Sequence, residues 1–145
     1  MIPIDNLEQF IQRIDTMPVD DLIRANKELC ELRIARGGEI EQFHGRINCC
    51  EPVKRHVTPY WLLRVIVNPG TPKEQITVHL LGSEVITSDV MLIDTKKKLV
   101  RTMNSIYSIG DRGAADVSLH AKFRICAGLH HWGVGSFLEV PHVFY

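Results

Sequence analysis

The sequence predicts an α+β fold: an N-terminal helical hairpin, a four-stranded antiparallel meander sheet and a C-terminal helix packed on the sheet. Three observations predict it. Apolar residues recur at helical spacing before residue 36. Four strand-like runs joined by short turns follow between residues 60 and 107. A last helical pattern then begins near Asp116.

The first helix is expected within residues 5–17. Asp5 and Glu8 have capping-box spacing, and Leu7, Phe10, Ile11, Ile14 and Met17 share a face. Pro18 breaks the pattern. Asp20 or Asp21 then caps a second helix carrying Leu22, Ala25, Leu29 and Leu32, and Gly37-Gly38 ends it. Residues 39–58 read as a connector. Gly45, the Cys49-Cys50 pair and Pro52 argue against a long element there.

Residues 60–68 form the clearest strand. Trp61, Leu63, Val65 and Val67 alternate with Leu62, Arg64 and Ile66, so apolar side chains fall on both faces. Asn68, Pro69, Gly70 and Pro72 mark a loop. Residues 75–81 alternate Ile76, Val78 and Leu80 against Thr77 and His79, and Gly82-Ser83 fits a hairpin turn. Residues 85–94 and 98–107 supply the third and fourth strands around a lysine-rich loop. Residues 116–133 form the last helix, and residues 134–145 form an apolar, aromatic tail that should dock.

All 145 residues then belong to one domain, with 45% hydrophobic content to bury a single core. The 17 basic and 17 acidic side chains cancel, so no strong field for nucleic acid is expected of the whole chain. No apolar run reaches the roughly 18 residues of a membrane-spanning helix. The N-terminus lacks the basic and apolar regions of a signal peptide. With its 4 cysteines the chain suits a reducing, cytoplasmic setting.

Candidate chemistry concentrates on the last helix. At about 100° per residue, His120, Arg124, Ala127 and His131 fall in one stripe. Arg124 could bind an anion there, and a histidine could move a proton. Asp111 and Arg112, in the loop before the helix, could add to an anion site. His79 with Asp89 or Asp94 could line a pocket where the sheet faces a helix. His44, Cys49, Cys50 and His56 have the residue types of a zinc site but the wrong spacing, so no metal and no cofactor are expected. Lys96, Lys97, Lys98 and Arg101 form one basic patch, and Lys54, Arg55 and His56 another. Neither has the interleaved aromatics of a stacking surface, so nucleic acid is disfavoured as a partner.

The helix has two apolar flanks. One is Val117, Ala121, Ile125, Leu129 and Trp132; the other includes Leu119, Phe123 and Cys126. With Phe137, Phe144 and Tyr145 of the tail, Phe123 and Trp132 form a candidate interface. The function expected first is a non-catalytic small binding or protein-interaction module that self-associates, taking a second copy, a protein partner or a small anionic ligand. An enzyme acting on a small anion through His120, Arg124 and His131 is the alternative. A nucleic-acid-binding regulator using the lysine hairpin comes third.

Overall fold

The computed structural model describes residues 30–48, 50–114 and 116–131. It replaces the expected four-stranded meander with a seven-stranded mixed sheet and two short helices. The elements in chain order are strand β1 (Cys30–Ile34), helix α1 (Gly37–Ile40), a 3-10 turn (Glu41–Phe43) and strand β2 (Val53–Val57). Then come β3 (Trp61–Val67), β4 (Gln75–Leu81), β5 (Ile86–Asp94), β6 (Leu99–Thr102), β7 (Ile106–Ile109) and helix α2 (Leu119–His131). Their spatial order is β1-β3-β4-β5-β6-β7-β2. Every pairing is antiparallel except β2 with β7, which is parallel.

The first correction concerns the helical hairpin. Residues 5–29 lie outside the described residues, but residues 30–34, expected in its second helix, are a strand. Cys30, Leu32 and Ile34 alternate with Glu31 and Arg33, so five residues satisfy period two as readily as a helical stripe. Pairing to β3, from Cys30↔Val67 to Ile34↔Leu63, decides it, and Leu32 is buried. That register sets Arg33 opposite Arg64, a repulsive cross-strand pair. Glu39 of α1 resolves it: Arg33 donates to its carboxylate, and Arg64 Nε lies 3.0 Å from Oε2. The Arg36 N–H also donates to Glu39, at 2.9 Å, which closes the first turn of α1.

The second correction is β2, inside the expected connector. Only Val57 of its residues is buried, so it has no apolar alternation to read. The third is that the expected strand over 98–107 is two strands. The Thr102 N–H donates to Ser105 O at 2.9 Å, and the Thr102 hydroxyl bonds to Ser105 O and accepts from the Ser105 N–H. This is a turn made by side chains without Gly or Pro.

A flat sheet in this order is impossible. Five strand spacings of about 4.8 Å would separate β2 from β3 by roughly 24 Å. Yet only Thr58, Pro59 and Tyr60 join them. Four Cα steps of about 3.8 Å reach ~15 Å. The sheet must coil until its ends meet. At that seam the loop after β7 continues alongside the chain leaving β2. The Gly110 N–H donates to Val57 O, the Tyr60 N–H to Asp111 O and the Gly113 N–H to Tyr60 O. The concave side encloses a core of Val57, Leu62, Leu80, Ile93, Val100 and Tyr107, drawn from six strands.

The other face of β3 and β4 buries Leu63, Val65 and Leu81, and α2 lies against β4 and β5. Ala121 and Ile125 of α2 are fully buried, as is Val117 just before it. Ser118, rather than Asp116, caps the helix: its Oγ accepts the Ala121 N–H at 3.3 Å. Among the described residues no helix is long and apolar enough to cross a membrane.

Two predictions come from this architecture. A methyl group at Gly113 would collide with the Trp61 indole, which is pinned by a 2.8 Å bond from Nε1 to Ala114 O. Gly113→Ala should lower the unfolding free energy by about 1–3 kcal/mol, as overpacking does, seen as a lower urea midpoint. Glu39 is the second. The hydrogen bond from Arg33 leads the causes that hold its pKa at about 2, below the ordinary 4.5. A depressed carboxyl stabilises the fold fully above its unfolded pKa and ceases to as pH falls through the folded value. Stability should therefore drop between about pH 5 and pH 2. Glu39→Gln should remove part of that drop and cost about 1 kcal/mol at pH 7, measured by denaturation across pH.

Candidate functional site

The site is built on an irregularity at the start of β5. Between His79↔Asp89 and Leu81↔Ile86, β4 advances two residues while β5 advances three. One extra residue on one strand is a bulge, which bends the strand and re-aims its side chains. Thr87 repairs the ladder there. Its Oγ1 accepts the Leu80 N–H at 3.0 Å and donates to Ser88 O at 2.8 Å.

His79 fastens the same bulge from below. It is 3% exposed. Its Nδ1 lies 2.8 Å from Thr87 O. A carbonyl can only accept, so Nδ1 carries the proton and Nε2 of the neutral ring accepts from the Thr77 hydroxyl, also at 2.8 Å. Burial pushes the imidazole pKa below 6.5, against the Thr87 carbonyl and the Asp89 carboxylate, which act to raise it. Asp89 Oδ1 is 3.9 Å from Nε2. At pH 7 this is a neutral structural histidine with both nitrogens occupied.

Bending at the bulge turns Ile86, Thr87 and Ser88 toward α2. They face Arg124, Ala127 and Gly128 across a cavity of about 370 Å³, and Asn104 of the β6–β7 turn completes the wall. The Met103 N–H donates to Asp89 O at 3.0 Å, which holds that turn over β5. Space exists because Ala127 and Gly128 are small. Polar character comes from the Arg124 guanidinium, the Ser88 hydroxyl and the Asn104 amide. A planar cation with two neutral hydrogen-bonding groups suits a carboxylate or phosphate.

The other residues singled out from sequence are dispersed. His120 is exposed, its ring edge-on to Phe123 with centroids 6.4 Å apart. Phe123 is buried within the single chain. His131 is the last residue of α2, and its side chain lies outside the described residues, as do Trp132, Phe137, Phe144 and Tyr145. Asp111 and Arg112 belong to the seam, where the Asp111 N–H donates to Thr58 Oγ1 at 3.0 Å and Arg112 reaches Ala35 O at 3.4 Å. Neither lines the Arg124 cavity. His56 bonds Ser108 Oγ at 2.7 Å. Among the described residues no group of three His, Cys, Asp or Glu side chains is placed to hold a metal ion. Lys122 of α2 is 1% exposed, with Asp116 Oδ1 3.8 Å from its Nζ.

Sequence reasoning missed Thr87, Ser88 and Asn104. The signal was present: Thr87, Ser88 and Asp89 interrupt an otherwise apolar strand, and a polar break in such a run can mark a bulge.

His79 supplies a prediction. A base whose pKa is depressed on folding costs nothing above pH 6.5 and destabilises the fold as pH falls below it, because the unfolded chain takes the proton first. Stability should therefore decline below pH 6.5, and His79→Gln should flatten that limb. The imidazole carbon signal in an NMR titration should move only below that pH.

Compared with known families, curated proteins and solved structures, the chain matches none.

Proposed function

We propose that this protein is a non-catalytic binding module that takes a small anionic ligand in the cavity between α2 and the bulged end of β5. The observation that carries this is Arg124, half-buried, which lines that cavity together with Ser88 and Asn104. A guanidinium in a partly desolvated recess binds a planar anion more strongly than one on an open surface, since screening is weaker there.

The non-catalytic part rests on where the titratable side chains are spent. His79 holds the bulge, and its two ring nitrogens face Thr87 and Thr77. His120 is exposed on α2 and does not line the cavity. Asp94, the other acid considered, lies at the β5–β6 turn. There the Ile47 N–H and then the Lys97 N–H hold its carboxyl below the usual carboxylate range. These groups build the site's frame and leave recognition to Arg124, Ser88 and Asn104.

Thermal denaturation with inorganic phosphate, sulfate or acetate tests the proposal. At least one anion should raise the melting temperature progressively as its concentration increases, logarithmically once the anion exceeds its Kd. Arg124→Gln should weaken that binding roughly tenfold to a hundredfold, the value of a charge-assisted hydrogen bond. A melting temperature indifferent to all three anions, or an Arg124→Gln variant that keeps the full shift, would overturn it.

A further inference from the structure

The far end of β5 carries a second surface. β5 and β6 meet in the loop 95–98, which presents Lys96, Lys97 and Lys98 in succession, all exposed. Three features separate this tip from a loop charged only for solubility. The first is backbone strain. Lys98 has φ 54°, in the left-handed region, where glycine costs least. A cation is kept at a position whose conformation favours Gly, and strain held at a surface site points to use.

The second feature is support. The run 44–48 is stitched along the tip. The Gly45 N–H donates to Ile93 O at 2.9 Å, the Ile47 N–H to Asp94 Oδ2 at 3.0 Å, and Lys97 Nζ to Ile47 O at 2.9 Å. Arg46 lies between two anchored residues and is therefore held beside the lysines. A cleft of about 540 Å³ has Arg46 and Asn48 on one side and Lys96 and Lys97 on the other. The third feature is charge. Asp94, at the floor, is 5% exposed and accepts from the Ile47 and Lys97 N–H groups, so its charge is directed at the loop's own backbone. Arg46 and Lys96 are left on the rim of the cleft, and Lys98 is exposed on the same loop beside it.

We propose that this tip binds the phosphate backbone of double-stranded nucleic acid, with Arg46, Lys96 and Lys98 each meeting a phosphate. No aromatic side chain lines the cleft, so bases have nothing to stack on and the contact is independent of sequence. The zero net charge of the chain does not oppose this. Asp5, Glu8, Asp15, Asp20, Asp21 and Glu28 all fall in the first 29 residues, ahead of the sheet. The local field at the tip is set by its own cations, because exposed charges act over about a Debye length of 8–10 Å.

Fluorescence anisotropy of the full chain with a short mixed-sequence DNA duplex tests it. Three phosphate contacts give a slope of about −2.7 in log K against log salt, or a ~40-fold loss between about 50 and 200 mM. Lys96→Gln should reduce the slope to about −1.8. Lys98→Gly should reduce it equally while raising the melting temperature by about 3 °C, because glycine relieves the strained backbone. Arg124→Gln should leave the slope unchanged, which separates this tip from the α2 cavity. Absence of duplex binding, a flat salt dependence, unaltered slopes in both lysine variants, or binding to anionic lipid vesicles but not to duplex would each overturn the proposal.

Discussion

The parallel pairing of β2 with β7, closed by a three-residue link to β3, is the constraint on which the rest depends. It forces the sheet to coil, and coiling decides what is inside. Val57 is the buried residue of β2, and it completes the concave core that Leu62, Val100 and Tyr107 line from other strands. The same closure draws the 110–114 loop across the start of β3. Gly113 must then lie against the Trp61 ring, and the Trp61 Nε1–H finds Ala114 O. A strand with a single buried residue thus fixes the shape of the whole sheet.

Coiling also explains the irregular strand at its centre. β5 pairs with β4 through its first half and with β6 through its second. A register shift falls in each half, at His79/Leu81 and at Val90/Leu92. A strand shared by two differently oriented halves must bend, and a bulge bends it while giving up little of the ladder. At the first bulge the cost is offset by the Thr87 side chain and by His79. The polar atoms of these two residues are spent on repairs to a bent strand, although Thr87 also lines the cavity.

How much of this was legible follows from the physics of each element. β4 was readable to the residue, because Ile76, Val78 and Leu80 alternate cleanly and Gly82 ends the run. β3 was readable because apolar side chains on both faces mean cover on both sides, which its burial shows. β1 was not readable, since a five-residue stretch fits two periodicities and only its partner chooses between them. β2 was not, because its reason for existing is the unpaired edge of β7, which lies about fifty residues away in sequence. The division of β6 from β7 was hidden because Thr102 and Ser105 make the turn with side-chain bonds. Arg124 could be singled out from helical spacing alone. Its neighbours Ser88 and Asn104 could not, since the polar break at Thr87, Ser88 and Asp89 can mark a bulge without showing what that bulge faces, and the turn that carries Asn104 leaves no mark in the hydrophobic period.

The two candidate surfaces therefore sit at opposite ends of β5, with core residues of the same strand between them. Val90 and Ile93 are buried in the core between the two ends. Coupling between distant sites needs an element with two states that both sites bias. The linings of the α2 cavity and of the cleft at the lysine tip share no residue, so changes at the two should act independently and add. The geometry is that of a frame carrying two separate surfaces. Its polar interior residues, His79 and Asp94, hold the two ends of one bent strand in place, so that an arginine at one end and a run of lysines at the other are fixed in their directions.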